Sequence, residues 1–224
     1  MCGRASITKT EKQVEDRFGA VFVKNTDGSS PYSTNTNICP SQTIAVITNS
    51  SPQSIMMYRW GLIPPWAPDI NIGFKTFNAR KETLLDRPAF KTAIHTSRCL
   101  VLMDGFYEWT LHNGKKLPFR ISTDDHSLFA VAGLWAVWQH PSDGTLIHSC
   151  TVITQEPNTF MSSIHDRMPA ILSPSQEQQW IDNSLTAQDA LQLLLPSDDL
   201  PLVSEQVDPA TGKADDSPTQ LSLF

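Results

Sequence analysis

The middle of the chain, residues 98–154, constrains the fold most strongly because apolar runs alternate there with turns. Asn113-Gly114 is typical of a tight type I′ hairpin, and short polar turns join the other runs. Four segments have the length and composition of β-strands: residues 98–109, 119–122, 128–138 and 148–154. We therefore expect an α+β domain with an antiparallel, partly barrel-like β-sheet core.

Short helices are predicted to flank this sheet. Thr8 and Glu11 have the spacing of a capping box, which predicts a helix that begins there. A helical stretch is also predicted to begin at Asn78, and Ser173 and Thr186 are each expected to cap a helix near the C-terminus. Further predicted elements are strands at 44–48 and 55–60 and helices at 158–163 and 174–182.

Length and composition agree with one large soluble domain. The chain has 224 residues, of which 40% are hydrophobic, and this supports a proper core. No apolar run approaches 18 residues, and the N-terminus lacks the hydrophobic segment of a signal peptide. We therefore expect no membrane association, a cytoplasmic location at the nucleoid or replication fork, and a monomer.

Charge is concentrated at the C-terminal end. The net charge is −6, but residues 197–224 contain six acidic residues and one basic residue, so residues 1–196 have a net charge of only −1. An electric field depends on the placement of charges rather than on their sum. A nearly neutral body can therefore carry a basic groove for nucleic acid.

The four cysteines predict neither a zinc site nor a disulfide. Cys2, Cys39, Cys99 and Cys150 include no C-x-x-C pair, and a reducing compartment disfavours disulfides. The last three lie in apolar or strand-like contexts and are expected to be buried small hydrophobic residues. We predict no metal and no cofactor.

The N-terminus Met1-Cys2-Gly3-Arg4 offers unusual chemistry once Met1 is removed. An N-terminal cysteine carries an α-amine with a pKa of about 7.7–8.0 beside a thiol with a pKa of about 8.5, so both are nucleophilic near neutral pH. The amine can condense with an aldehyde to an imine, and the thiolate then closes a five-membered thiazolidine. An internal residue cannot do this. By itself, however, the tetrapeptide is also compatible with an ordinary second residue.

Three other residues have chemically informative neighbours. Glu108 lies within an aromatic, strand-like segment, where it is either an exposed edge residue or a buried acid with a raised pKa, as general acid/base work requires. His165 is followed by a carboxylate and a guanidinium that could orient and charge it. Trp66 follows two prolines on a stiff loop, where it either covers the core or stacks on a base.

The C-terminal segment is predicted to be a flexible acidic tail. We place a catalytic domain at residues 1–204 and the tail at residues 205–224, with disorder expected from about residue 208. The tail ends in Gln220-Leu221-Ser222-Leu223-Phe224, which resembles the pentapeptide that docks bacterial repair proteins onto the DNA polymerase sliding clamp. In that reading Gln220, Leu221, Leu223 and Phe224 bind the clamp. The alternative is an incidental hydrophobic end.

Five motifs, taken together and in order, resemble the SRAP family of SOS-response-associated abasic-site-processing proteins. They are Cys2-Gly3-Arg4, Trp60-Gly61-Leu62-Ile63-Pro64-Pro65-Trp66, Asn78-Ala79-Arg80-Lys81-Glu82-Thr83, Asp104-Gly105-Phe106-Tyr107-Glu108-Trp109 and Ile164-His165-Asp166-Arg167-Met168-Pro169. The resemblance extends from the N-terminus to about residue 195, and Asn37-Ile38-Cys39-Pro40 matches a weaker family element. It implies a thiazolidine crosslink to abasic sites in single-stranded DNA, with lyase-like character and autopeptidase removal of Met1.

The resemblance also implies a role for each matching residue. Cys2 would be the nucleophile, Asn78 would position it, Glu108 would act as acid/base, and His165 would protonate the sugar oxygen. The DNA contacts implied or suggested by the motifs are Arg4, Arg80 and Arg167 on phosphates, Trp66 on a base, and Asn37 and Pro40 in the weaker element.

Two alternatives remain open from the sequence. An N-terminal-nucleophile glutamine amidohydrolase also begins with Cys-Gly, and His112-Asn113-Gly114 echoes a motif of those enzymes. Such an enzyme would release ammonia from a carboxamide. The second alternative is a non-catalytic module that binds single-stranded DNA or the clamp, in which Cys2 is incidental. Replacement of Cys2 would then leave function unchanged.

Overall fold

The computed structural model describes residues 2–112 and 115–208, which form one mixed α+β domain made mostly of sheet. The strands are β1 (Ala5–Ile7), β2 (Val21–Phe22), β3 (Asn35–Ile38), β4 (Thr43–Thr48), β5 (Ser51–Trp60), β6 (Asn78–Arg80), β7 (Arg98–Met103), β8 (Gly105–His112), β9 (Lys115–Thr123), β10 (Phe129–Gln139), β11 (Leu146–Gln155), β12 (Met168–Pro169), β13 (Ile171–Leu172) and β14 (Leu202–Gln206). The α-helices are α1 (Glu11–Phe18), α2 (Ala93–Thr96), α3 (Thr159–Ser162), α4 (Pro174–Trp180) and α5 (Ala187–Gln192), and two 3-10 helices span Ile70–Lys75 and Lys81–Thr83.

Five of these strands close into a barrel. Strand β4 pairs with β5 and β7, β7 pairs with β10, and β10 pairs with β11, all antiparallel. The ring closes where β11 pairs in parallel with β5, through Ser149 opposite Arg59 and Cys150 opposite Trp60. Closure removes the free edges that a flat sheet would expose. The prediction of an α+β fold with a partly barrel-like sheet and short flanking helices is confirmed.

A second sheet lies beside the barrel and carries the N-terminus. Its strand order is β14-β9-β8-β1-β3. Strands β8 and β9 form a hairpin whose last pair is His112 opposite Lys115. The predicted turn residues Asn113 and Gly114 lie outside the described residues. Because β1 is a middle strand, the start of the chain is held between two neighbours.

The first helix begins later than the sequence analysis predicts. Its capping box joins Thr10 to Gln13, not Thr8 to Glu11. Thr8 instead donates hydrogen bonds from its backbone nitrogen and its hydroxyl to Asp104. The carboxylate of Asp104, which is distant in sequence, therefore binds the residue that local spacing predicts to be the helix cap. The predicted caps of the C-terminal helices, Ser173 and Thr186, are confirmed.

The predicted helix at residues 78–83 is wrong in its first half. Asn78–Arg80 forms β6, which pairs in parallel with β11, and only Lys81–Thr83 turns helically. Pairing with an adjacent buried strand overrides the weak helical preference of this short polar segment. The predicted strand at 98–109 is in fact two strands, because the chain turns at Asp104 from β7 into β8.

The C-terminal part of the description ends at Asp208. The predicted domain boundary after residue 204 falls inside β14, which pairs with β9 from Leu202 to Gln206. The sheet therefore includes the first residues that the sequence analysis assigned to the tail. Residues 209–224, with the proposed clamp peptide, lie outside the described residues. Among the helices that the structure describes, none is both long and apolar enough to cross a membrane.

Candidate active site

Cys2 lies just ahead of the strand that brings the N-terminus into the molecule. Its side chain is buried, with 1% exposure, and the thiol faces the carbonyl oxygen of Arg4 at 3.7 Å. Burial, followed by the negative charge of Glu108, raises the pKa of the Cys2 thiol well above its usual value. The thiol is therefore neutral near pH 7 and must lose its proton to a nearby base before it acts as a nucleophile.

Asn78 holds the backbone of Cys2 from the neighbouring sheet. Its Nδ2 donates a hydrogen bond to the carbonyl oxygen of Cys2 across 2.7 Å. Its Oδ1 is buried and has no hydrogen-bond partner among the described residues. A buried acceptor of this kind is costly unless a ligand or water satisfies it. Asn78 can therefore position Cys2 through its Nδ2 and still accept a hydrogen bond from a substrate at its Oδ1.

Glu108 is a buried acid rather than an exposed edge residue. It lies on β8, and its exposure is 2%. Burial is the main reason that the pKa of Glu108 is raised, and nearby positive charge, including that of His165, partly opposes the effect. A carboxyl group with a raised pKa can both donate and accept a proton near neutral pH. Of the two possibilities left open by the sequence, the structure shows the one that acid/base chemistry requires.

His165 completes the group of titratable side chains. Its Nε2 lies 3.8 Å from Oε2 of Glu108. On the other side of the ring, Nδ1 accepts a hydrogen bond from the backbone N–H of Arg167 at 2.9 Å and also lies 2.9 Å from Oδ1 of Asp166. These contacts fix the orientation of the imidazole ring, with Nε2 on the side of Glu108.

A groove with a volume of about 450 Å³ opens beside Asn78. It brings Trp66 and Arg80 together, as the sequence analysis expects of residues that share a ligand. Trp66 is 58% exposed and thus free of any core role. Two cationic residues that the sequence analysis missed, Lys75 and Arg87, also line the groove. Aromatic and basic side chains in one groove are typical of single-strand binding.

The signals for the missed residues were weak. Lys75 ends a 3-10 helix, and Arg87 precedes a proline. Neither residue belongs to a recognisable sequence motif. Their contribution follows from the way the loop at residues 61–77 and the loop at residues 84–92 face each other across the groove. Sequence reasoning could have flagged both only as unassigned cations.

The other two predicted phosphate-binding arginines are engaged by the protein. Arg167 donates two parallel hydrogen bonds to Glu82 at 2.9 Å each and a third to the carbonyl oxygen of Thr154 at 2.7 Å. The Arg4 guanidinium lies 5.1 Å from the centre of the Trp109 ring. A phosphate at Arg167 would therefore have to compete with Glu82, whereas Arg80 is exposed.

The remaining residues named in the sequence analysis lie near β3, in the core or outside the described residues. Asn37 and Pro40 are half-buried in and just after β3, beside β1. Cys99 and Cys150 are buried as expected, but Cys39 is only half-buried. The clamp-peptide residues Gln220, Leu221, Leu223 and Phe224 lie outside the described residues. Within the residues that the structure describes, no group of three or more His, Cys, Asp or Glu side chains is placed to hold a metal ion.

This arrangement is suited to covalent capture of a carbonyl compound. A thiol next to the chain's N-terminus, an acid/base carboxyl group and an imidazole converge from three separate elements. An amine and a thiol on adjacent carbons supply both nucleophiles, and the neighbouring acid can protonate a departing hydroxyl group. The groove beside them supplies charge and a stacking surface for an extended polyanion.

Comparison with known proteins agrees with this geometry. The family model for SOS response associated peptidase (SRAP) matches residues 1–214. The chain is 42% identical to the abasic site processing protein YoaM of Bacillus subtilis, covering 88% of this chain and 87% of the relative, and 31% identical to the abasic site processing protein HMCES of Xenopus tropicalis, covering 89% and 72%. A crystal structure of a protein from Bacteroides thetaiotaomicron superposes with a TM-score of 0.85 at 27% identity, covering 93% of each chain. The chain belongs to the SOS response associated peptidase (SRAP) family.

Proposed function

We propose that this protein processes abasic sites in single-stranded DNA and captures them covalently through Cys2. The observation that carries the proposal is the convergence of Asn78, Glu108 and His165 on Cys2 beside a basic, aromatic groove. Relatives named abasic site processing proteins support it, at 31–42% identity to this chain. An abasic site is in equilibrium with a ring-opened aldehyde, which is the carbonyl compound that a 1,2-aminothiol captures.

The proposed reaction loses one water molecule. His165 donates a proton to the sugar ring oxygen as the bond from that oxygen to the anomeric carbon breaks, and the anomeric hydroxyl group loses its proton to water, which gives the open-chain aldehyde. The α-amine of Cys2 adds to the aldehyde carbon, and Glu108 protonates the hydroxyl group, which leaves as water to give an imine. The Cys2 sulfur then adds to the imine carbon, its proton passes to the nitrogen, and the thiazolidine is complete. Asn78 holds the Cys2 backbone throughout.

Removal of Met1 must come first, and the same thiol can carry it out. The Cys2 sulfur would add to the carbonyl carbon of Met1, and the bond from that carbon to the Cys2 nitrogen would break as the nitrogen takes up a proton. Water then hydrolyses the resulting thioester, which releases methionine and restores the thiol. This autopeptidase step accounts for peptidase and hydrolase character, while the DNA reaction is lyase-like.

The groove supplies the DNA contacts. Trp66 would stack on a base next to the lesion, and Lys75, Arg80 and Arg87 would contact phosphates. Arg167 would contribute only after leaving Glu82. Arg4, Asn37 and Pro40 would contact the strand on the side of β1. The near-neutral charge of residues 1–196 permits such a local basic surface.

A gel assay tests the proposal directly. The protein is mixed with a single-stranded oligonucleotide that carries one abasic site and is then run under denaturing conditions. We expect a heat-stable shifted band that is lost on Cys2→Ala and when residues are added ahead of Cys2. Reversible binding of the single strand should survive Cys2→Ala. A shifted band that persists in Cys2→Ala contradicts the mechanism, and glutaminase activity would favour the amidohydrolase instead.

The C-terminal pentapeptide supports a second, separate role. We propose that Gln220, Leu221, Leu223 and Phe224 bind the DNA polymerase sliding clamp, so that the acidic tail tethers a monomeric protein to replication forks in the cytoplasm. The test is binding of a peptide of residues 210–224 to purified clamp, with Leu223 and Phe224 both changed to alanine as the control. Absence of binding at high micromolar peptide contradicts the tether.

A further inference from the structure

The strand behind Cys2 is short, so only a few backbone hydrogen bonds fix its register against β8, among them those from the Tyr107 N–H to the Arg4 carbonyl oxygen and from the Asp104 N–H to the Ser6 carbonyl oxygen. β1 has three residues, and its ladder with β8 pairs Ala5 with Phe106 and Ser6 with Gly105. A slip of one residue would move Cys2 by about 3.3 Å and turn every β1 side chain to the opposite face. Because β8 also carries Glu108, such a slip would separate the nucleophile from the acid.

One buried carboxylate bridges these two strands. Asp104 immediately precedes β8, and its Oδ1 accepts a hydrogen bond from the hydroxyl of Ser6 at 2.7 Å. Its Oδ2 accepts two more from Thr8, from the backbone nitrogen at 2.5 Å and from the hydroxyl at 2.6 Å. Ser6 and Thr8 lie one on each side of the last β1 residue. Both oxygens of Asp104 are therefore committed to fixing β1 against β8.

Arg120 of β9 holds the carboxylate from the other side. Its Nη2 donates to Oδ1 and to the backbone oxygen of Asp104, at 3.0 Å each, and its Nε donates to the Ser6 hydroxyl at 3.2 Å. Gly105 leaves the space for this, because a Cβ there would lie 2.8 Å from the Arg120 Nε. Three strands thus meet at one buried ion pair.

The carboxylate is ionised in this setting. Burial would raise the pKa of Asp104, but hydrogen bonds from Thr8 and Ser6 and the charge of Arg120 outweigh it and hold that pKa below its usual value. An ionised carboxylate accepts from all of these donors at once. An asparagine would turn an amide NH₂ towards one of the donors, which would lose its partner.

We infer that Asp104 is a positioning residue that sets the register of the nucleophile strand against the strand carrying the acid. This inference rests on the proposed function, since it assigns Asp104 to the same reaction. Asp104 acts through Ser6 and Thr8 on the position of Cys2. A misplacement of about 1 Å is enough to slow an enzyme reaction about 100-fold, so loss of the register matters more for the rate than for DNA binding.

The chain contains a matched control at a distance from the site. Glu177 is also a buried carboxylate paired with an arginine, accepting from Arg17 at 3.1 and 2.7 Å, and it joins α4 to α1. Asp104→Asn and Glu177→Gln therefore remove equivalent buried ion pairs. We expect Asp104→Asn to slow single-turnover crosslinking at saturating DNA at least about tenfold and Glu177→Gln to stay within about twofold. Reversible single-strand affinity, measured with Cys2→Ala added, should remain within about twofold in both.

Variants of Ser6 and Thr8, and alkylation of Cys2, provide independent tests of the same inference. If Asp104→Asn does not fold, Thr8→Val and Ser6→Ala each remove one donor and should still slow the crosslinking rate. If the wild-type protein itself forms no crosslink, the proposed function fails, and iodoacetamide labelling of Cys2 then tests the register alone: Asp104→Asn should label faster than wild type, and Glu177→Gln should not. Wild-type rates in Asp104→Asn, or equal slowing in Glu177→Gln, overturn the inference.

Discussion

The imidazole Nε2 of His165 and the carboxylate Oε2 of Glu108 lie 3.8 Å apart, on the loop before β12 and on β8 respectively. Glu108 is buried and His165 is partly exposed. The pair thus sets a buried acid with a raised pKa beside a partly exposed imidazole, a combination that suits acid/base chemistry.

Replacement of Glu108 by glutamine should separate activity from stability. Because burial raises the pKa of Glu108 in the folded protein, its ionised form is disfavoured there, and the stabilisation given by protonation is lost as pH rises through the folded-state pKa. Glu108→Gln should therefore raise the melting temperature at pH 8 more than at pH 4, while slowing crosslinking about 100-fold or more. Thermal melts at both pH values and single-turnover gels check this. A lower melting temperature at pH 8 contradicts it.

The buried thiol of Cys2 should react slowly with alkylating agents while Met1 is retained. Burial and the Glu108 charge raise the pKa of the Cys2 thiol, so the thiolate fraction is small and grows as pH rises. Cys39, which is half-buried, provides an internal comparison. Mass spectrometry after brief iodoacetamide treatment at pH 7 should find Cys39 labelled before Cys2. Removal of Met1 or Glu108→Gln should speed labelling of Cys2.

Trp66→Ala should weaken single-strand binding without destabilising the fold. Trp66 is 58% exposed and lines the groove. Loss of one stacked base costs about 1–3 kcal/mol of binding free energy. Phe74 is a suitable control, because it is 54% exposed but does not line the groove. Fluorescence anisotropy with a single-stranded oligonucleotide should show a large loss for Trp66→Ala and little change for Phe74→Ala. Equal losses would argue against stacking on Trp66.

Glu82→Gln should strengthen single-strand binding. Glu82 holds the Arg167 guanidinium through two hydrogen bonds, and Glu82→Gln removes the negative charge of that pair while the bond from Arg167 to the Thr154 carbonyl oxygen remains. We expect an increase of about two- to fivefold in affinity at low salt, because partly exposed ion pairs contribute roughly 1 kcal/mol or less. Glu156 and Glu82 both line a second pocket, separate from the groove that contains Trp66. Glu156→Gln makes the same charge change without touching Arg167, so an equal gain there would mean that charge alone matters.

Much of the sheet was predictable, because its signals are local. The apolar runs near residues 128–138 and 148–154 appear as β10 and β11 within two residues at each end. The helix caps at Ser173 and Thr186 are also as predicted. These strands and caps depend on composition and spacing within a few residues. Their prediction therefore requires no knowledge of a residue distant in sequence.

The errors in the predicted secondary structure occur where a residue distant in sequence determines the local conformation. Thr8 has a suitable spacing for a helix cap, yet Asp104 binds it, and Thr10 caps the helix instead. Asn78 lies in a segment with helical character, yet pairing with β11 makes it a strand residue. Lys75 and Arg87 join the groove only because two loops face each other.

The sequence alone determined the chemistry that this protein has available: an aminothiol once Met1 is removed, and the carboxyl, imidazole and guanidinium groups of its motifs. Those properties belong to the covalent structure of each residue and need no fold. The tertiary structure decided which of them meet, which are buried and which are already engaged, as in the bond from Asn78 to Cys2 and the pairing of Arg167 with Glu82. These outcomes depend on strand pairing between distant segments, and the free energy of that pairing is not encoded in any local stretch of sequence.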